Sequence, residues 1–437
     1  MGSVFVFAGF ITCVIVSLVL GISMVFPLIA GYLLFTAYSC KNGYRFRDIL
    51  RVSVGSFRES FIVVSVLLLI GCLTGLWRIS GTVASFVCGG IKIMPSSLFV
   101  LSAFLLSALM SYAIGTSFGV TATAGVILIS IARVGGVAPL PVAGAVMSGV
   151  YVGDRGSPAA SSANLVAAVT GTDMRRNIRE MAKTGLVPFL VCCAIYAVIS
   201  AFFPLENRDT ELITIMESEF RLGAVCLLPA AAMIVLPFCG MKVKHAMAVS
   251  IVISFALTVL YQGKGFGPCF KAMLLGYEPE NSAISDVLSG GGAKSMLEVC
   301  VILLISGTYG AIFQETGMLS SLSSRISALS SRIGRFKTMA LLSVGACAVF
   351  CNQTIGIIMV NQLSCGLYGD SETEKNSKMI DLEDSVITIA GLIPWCIACS
   401  VPASMMGTGA KTILFAFYLW IVPLWTALRR GNEKLYI

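Results

Sequence analysis

A chain of 437 residues that is 57% hydrophobic and only 12% charged, with apolar runs along its whole length, is excluded from the soluble classes and reads as a polytopic α-helical membrane protein. Its net charge of +8 would suggest nucleic acid in a soluble protein, but the basic residues cluster in short loops between apolar runs, where they report topology. Continuous apolar runs exclude a β-barrel, whose strands alternate apolar and polar residues.

The first run, Val4 to Ile22, is nearly of spanning length, has no basic stretch before it and leads straight into another apolar run. It is expected to be a helix and not a cleaved signal peptide. The loops Lys41 to Glu59, Gly171 to Lys183 and Ser321 to Lys337 carry an excess of basic residues and are expected to face the cytoplasm. Pro204 to Glu219 and Gly263 to Glu298 are richer in acids and are assigned outside, which leaves both termini on the cytoplasmic side. Gly369 to Asp381 must face inward despite two Lys and four acids, which is tolerable because acids weigh little in the rule.

From Ser60 to Thr170 there is one carboxylate, Asp154, in Gly153-Asp154-Arg155-Gly156-Ser157-Pro158. An ionisable group at membrane depth costs at least ~2.5–3.5 kcal/mol, so the default expectation is an ion or proton site. The bland alternative is an Asp154–Arg155 ion pair in an ordinary surface loop. No lysine or arginine is expected within the membrane; Lys92 and Arg133 lie near enough to helix ends to snorkel, and Glu315 is expected at the interface.

An internal repeat is legible. Leu67 to Gly75 with Gly81 corresponds to Ile302 to Gly310 with Gly317, Thr116 to Gly119 corresponds to Gln353 to Gly356, and Ser157 falls opposite Ser385. The loop charges make the two copies antiparallel, roughly Met1–Pro204 and Leu205–Ile437, each of about seven crossings. Inverted repeats are the architecture of secondary transporters, whose ligands bind near the midplane at broken helices. The breaks come in matched places, with Gly115-Thr116-Ser117-Phe118-Gly119 and Asn352-Gln353-Thr354-Ile355-Gly356 first, then Ser157-Pro158 and Pro394. The predicted fold is therefore all-α, with two inverted repeats, broken helices, re-entrant hairpins as an option, and 10–14 membrane segments.

The second half supplies Glu383, Asp384 and Ser385. A hard cation such as Na⁺ wants oxygen ligands, and Asp154, Ser157, Thr116, Ser117, Thr354, Ser385 and freed carbonyls offer them, with Asn352 and Gln353 at the second break. Among these, Asp154, Ser157, Thr116 and Ser385 are the expected direct cation ligands. The single histidine, His245, lies in a loop, which rules out a histidine metal site. Fifteen cysteines, mostly within apolar runs, are expected to be free thiols. Cys396-x-x-Cys399 has the spacing of a thiol oxidoreductase but sits in an apolar run, a poor setting for a reactive thiol. Tyr151-Val152-Gly153-Asp154 lacks the first Gly of the membrane aspartyl protease motif Gly-x-Gly-Asp, and no Gly-x-Ser-x-Gly elbow with a usable histidine occurs. No enzyme and no cofactor is expected.

At these same residues the chain resembles the NhaC-type sodium/proton antiporter family, within the ion-transporter superfamily. The likeness runs from about Gly71 to Gly407 through Trp77 with Ser80-Gly81-Thr82, Ile114 to Gly119, Gly153 to Pro158, Thr172-Asp173, Gly290-Gly291-Gly292 with Ser295-Met296, Leu382 to Ser385, and Leu392-Ile393-Pro394-Trp395. It implies a cytoplasmic-membrane carrier expelling Na⁺ or Li⁺ in exchange for protons. Its partners are then membrane lipid and the transported ions, with no nucleic acid, and a homodimer stays open. The chain departs from the family pattern at Ala159 to Asn164, at Cys351-Asn352 and at Cys396, where polar groups are missing. An alternative is thus kept, a Na⁺- or H⁺-coupled carrier of a small organic acid or amino acid.

Overall fold

The structure is a computed structural model and describes residues 2–205, 210–317 and 323–432. Parts of the loops at 204–219 and 321–337, and both chain ends, lie outside the described residues. Within them the chain is helical throughout; the one β feature is an antiparallel bridge between Tyr277 and Gly290. The order is α1 (Gly2–Val19), α2 (Val25–Lys41), α3 (Phe46–Ile79), α4 (Thr82–Ile93), α5 (Phe99–Ile114), α6 (Ser117–Val120), a π-turn Thr121–Gly125, α7 (Val126–Val134), α8 (Pro139–Gly156), α9 (Ser161–Thr170) and α10 (Met174–Phe202). Then come α11 (Thr210–Glu219), α12 (Leu228–Phe238), α13 (Val243–Ala256), α14 (Phe266–Leu275), α15 (Ser285–Leu288), α16 (Leu297–Thr316), α17 (Ser323–Ile333), α18 (Arg335–Phe350) and α19 (Gln353–Leu363). The chain closes with α20 (Glu372–Leu382), a π-turn Glu383–Ile387, α21 (Thr388–Ala390), α22 (Ile397–Met406) and α23 (Phe417–Asn432).

Several stretches predicted as loops are helix. The basic run after Lys41 forms the first turns of α3, which is 34 residues long, and that after Gly171 opens α10. The basic residues there mark the start of a helix and not a loop. Six described helices are long and apolar enough to cross a membrane, and a seventh candidate is the pair Glu211–Glu219 with Ala224–Phe238, bent by 94°. Shorter apolar helices, among them α4 and α22, account for the larger number expected from the runs.

Backbone conformations repeat with a constant spacing of 236 residues. Gly81 and Gly317 end helices with φ of 76° and 58°, Gly115 and Cys351 with 74° and 52°, and Gly171 and Gly407 with 66° and 64°. The N-caps Thr116 and Asn352 have φ, ψ of −142°, 120° and −142°, 125°. Cys351 is the one non-glycine residue with positive φ among the described residues, held in a conformation that costs an L-residue roughly 1–2 kcal/mol. This register corrects the sequence pairing: Thr116 matches Asn352 and not Gln353, and Pro158 matches Pro394, so that Ser385 falls opposite Gly149 and not Ser157. Side-chain likeness misled by one residue at the first break and by eight at the second, because capping geometry and not side-chain identity is what repeats. The packing is crossed as well, since α9 lies on α19 of the other half and α22 on the π-turn after α6.

Close approach of α5 to α8 fixes the end of α8. A Cβ on Gly149 would lie 2.5 Å from Phe104 O, and one on Gly153 would lie 2.2 Å from Ser111 C, while Ser111 Oγ donates to Val150 O at 2.5 Å. This is the small-residue packing that membrane helices use in place of hydrophobic burial. Elsewhere α1 and α2 pack on α16 through Phe7, Phe10, Phe35, Tyr309 and Phe313, whose neighbouring rings lie 4.8–5.6 Å apart, with the Tyr309 hydroxyl donating to Leu28 O. Gly153→Ala is expected to destabilise the protein by about 1–3 kcal/mol, the usual cost of overpacking. Gly156→Ala, whose Cβ would meet nothing nearer than 3.9 Å, should stay within about 0.5 kcal/mol. Unfolding of the two purified variants in detergent measures the difference.

Candidate functional site

The last turn of α8 brings Asp154 and Arg155 into the protein interior, 4% and 1% exposed. Arg155 does not pair with Asp154, nor does it lie at the surface. Its guanidinium reaches across to Asp384 in the π-turn of the second half, with Nε donating to Oδ1 at 2.8 Å and Nη2 to the same oxygen. Nη1 donates to Tyr418 Oη at 3.1 Å and to Met181 O at 3.3 Å, and Nη2 also donates to Thr184 Oγ1. The other oxygen of Asp384 accepts from Thr426 Oγ1 at 2.6 Å. Gly185 makes room, since a Cβ there would stand 2.6 Å from Nη1. Arg155 is thus a buried basic side chain, and so is Arg78, which is 6% exposed.

With Asp384 neutralised, two carboxylates remain without a cation. Asp154 Oδ2 accepts one hydrogen bond, from Gln353 Nε2 at 2.9 Å, and Gln353 stands at the first position of α19. Glu383 is 0% exposed, and neither Oε1 nor Oε2 has a hydrogen-bond partner. Asp154, Arg155 and Asp384 are close enough to Glu383 to act on it electrostatically. Glu383 heads a π-turn, a device that recurs at functional sites because it leaves backbone groups outside the regular helical ladder.

The hydroxyls are placed less centrally than the sequence suggested. Thr116 Oγ1 accepts from Gly119 N at 3.3 Å and caps α6, and Asn352 Oδ1 accepts from Thr354 N at 2.8 Å and caps α19. Ser157 Oγ donates to Tyr112 O at 2.6 Å and accepts from Ala159 N at 3.1 Å, which pins the turn after α8. Ser385 Oγ donates to Asp381 O at 2.5 Å and accepts from Ser343 Oγ at 3.1 Å. Ser117 is buried in α6, whereas Thr354 is exposed. Among the described residues no hydrogen bond joins Thr116, Ser157 or Ser385 to the Asp154 carboxylate, and no group of three His, Cys, Asp or Glu side chains is placed to hold a metal ion.

Sequence reasoning missed Thr184, Tyr418 and Thr426, which carry no motif, and undervalued Arg155. A buried arginine in a run with one acid was the available signal. A cavity of about 220 Å³ lined by Arg176, Glu180, Asn376 and Arg430 reaches Thr184 and Thr426, the residues that hold the Arg155–Asp384 pair. The cysteines are free, and both Cys396 and Cys399 are buried.

Crossed broken helices around a buried charged cluster define a multi-pass membrane transporter. The model of the Na⁺/H⁺ antiporter family matches residues 1–202 and 149–428, and the chain belongs to that family. It is 25% identical over 409 residues to the Na⁺/H⁺ antiporter NhaC of Alkalihalophilus pseudofirmus, covering 92% of this chain and 88% of that one. It is 23% identical over 403 residues to the malate-2H⁺/Na⁺-lactate antiporter of Bacillus subtilis, covering 90% and 86%. It is also 24% identical over 427 residues to the arginine/ornithine antiporter ArcD of Halobacterium salinarum, covering 95% and 88%. Among solved structures it matches the Alcanivorax borkumensis YdaH transporter with a TM-score of 0.43 and 12% identity over 89% of each chain. The protein is an antiporter-family transporter and not an enzyme.

Removing one member of the Arg155–Asp384 pair leaves the other buried and uncompensated, at a cost of about 3–5 kcal/mol. Arg155→Gln and Asp384→Asn are each expected to show that loss in detergent unfolding, and the double variant should lose clearly less than the sum. Additive losses would mean that the two groups do not act as a pair.

Proposed function

We propose that the protein exchanges Na⁺ or Li⁺ for protons, with Glu383 and Asp154 as the acids that hold either ion. The observation that carries this reading is the fully buried Glu383 carboxylate with both oxygens unpartnered. Fully ionised, Asp154, Glu383 and Asp384 outnumber the one arginine among them by two charges. Such an excess is far too costly to keep in a low-dielectric interior, so protons or cations must be present whenever the site crosses between exposures. That requirement couples the two flows, because an empty, fully charged site cannot move. Gln353 fixes the orientation of Asp154 from the opposite half, so any displacement of α19 relative to α8 changes the ligand set.

Access fits alternating exposure. The cavity at Thr184 and Thr426 opens beside the basic start of α10, the side assigned to the cytoplasm by charge, with both termini on that side. The two halves, 1–204 and 205–437, are the inverted units that would move against each other, in the inner membrane and without a cofactor. Exchange of small carboxylates or amino acids, for which two relatives are named, is the competing reading.

Everted vesicles energised to an acid interior, with a pH dye reporting additions of NaCl, LiCl and KCl, test the proposal. Na⁺ or Li⁺ should dissipate the gradient in the wild type, and Glu383→Gln and Asp154→Asn should abolish the response. Wild-type rates in Glu383→Gln would overturn the assignment. Gln353→Leu is expected to raise the half-saturating Na⁺ concentration by about 10–100-fold, the usual effect of losing a group that orients a ligand, with less change in the maximal rate.

A further inference from the structure

A second, larger cavity of about 540 Å³ shares no lining residue with the carboxylate cluster. Its walls carry Arg78 at the end of α3, Arg133 at the end of α7, and Lys294 before α16, against one acid, Glu298. Arg78 is 6% exposed; its Nη1 donates to Thr74 O at 2.9 Å, and its Nε has no partner. Arg133 donates to main-chain oxygens, those of Asp286 at 2.7 Å, Met406 at 3.2 Å and Gly407 at 3.4 Å, and the Asp286 carboxylate acts on it electrostatically without forming an ion pair. Glu298 accepts from Ser23 Oγ at 2.5 Å. Among the described residues no carboxylate lies within 4 Å of the charged nitrogens of Arg78, Arg133 or Lys294.

Buried cations are normally paired, and two guanidinium groups facing one cavity repel each other until an anion enters. We propose that this cavity binds a small organic carboxylate, taken by Arg78 and Arg133 with Lys294 at its mouth. Planar guanidinium groups match the two oxygens of a carboxylate, and a cavity of this size suits a small organic molecule better than a halide. The site is separate from the cation site, and its existence does not depend on the cation reading.

Calorimetric titration of the purified full-length protein in detergent with the potassium salts of malate, lactate, phosphate and chloride tests it. Malate or lactate should bind in the wild type and in Asp154→Asn, while Arg133→Gln and Arg78→Gln should raise the dissociation constant at least about tenfold, the worth of one lost charged hydrogen bond. Arg133 is the less buried of the two, so Arg133→Gln keeps the test informative if Arg78→Gln fails to fold. Equal binding of phosphate or chloride, no binding of either carboxylate, or undiminished binding in Arg133→Gln overturns the proposal. So does loss of binding in Asp154→Asn with retention in Arg133→Gln, which would place the anion at the cation site. Na⁺-driven proton movement in Arg133→Gln vesicles reads the cation site independently.

Discussion

The buried pair between Arg155 and Asp384 is the contact on which the centre of this protein depends. It joins the end of α8 to the π-turn after α20, so it ties a helix end in the first half of the chain to an irregular turn in the second. Every polar partner around it, from Thr184, Tyr418, Thr426 and the carbonyl of Met181, serves to make two desolvated charges tolerable. One consequence is chemical. With Asp384 held by Arg155, the buried Glu383 next to it has no hydrogen-bond partner on either carboxylate oxygen.

Around that contact the backbone is symmetric while the chemistry is not. Helix breaks recur every 236 residues with nearly the same dihedral angles, and the short helices after the breaks pack on each other's partners across the two halves. Yet the first half contributes an acid and an arginine at the end of a regular helix, whereas the second contributes two adjacent acids in a π-turn and an amide at a helix start. A repeated scaffold can hold different side chains at equivalent depth because the caps, which are local, carry the geometry. Cys351 illustrates the point, occupying a left-handed position that its counterpart fills with Gly115.

Charge is distributed in two places of opposite sign. Asp154, Glu383 and Asp384 lie at the centre, and Arg78 and Arg133 line the larger cavity.

The membrane class, the helical fold and the family were legible in the sequence, which also singles out Asp154, Gln353, Glu383 and Asp384 as candidates. Hydropathy, the scarcity of carboxylates and the matched Gly, Ser and Thr breaks are properties of the chain alone, because lipid penalises each stray charge and each unsatisfied backbone group wherever it falls. Which charges cancel was decided by tertiary structure. Arg155 adjoins Asp154 in sequence but points across the protein to a residue 229 positions away, and that choice, set by Gly185 and the hydroxyls of the second half, is invisible to spacing. The same holds for Arg78, an unremarkable helix-end residue in sequence that becomes a buried, unpaired cation when α7 and the glycine turn at 290–292 close over it. Burial and pairing are properties of three-dimensional neighbours, and a linear pattern records only the groups that need them.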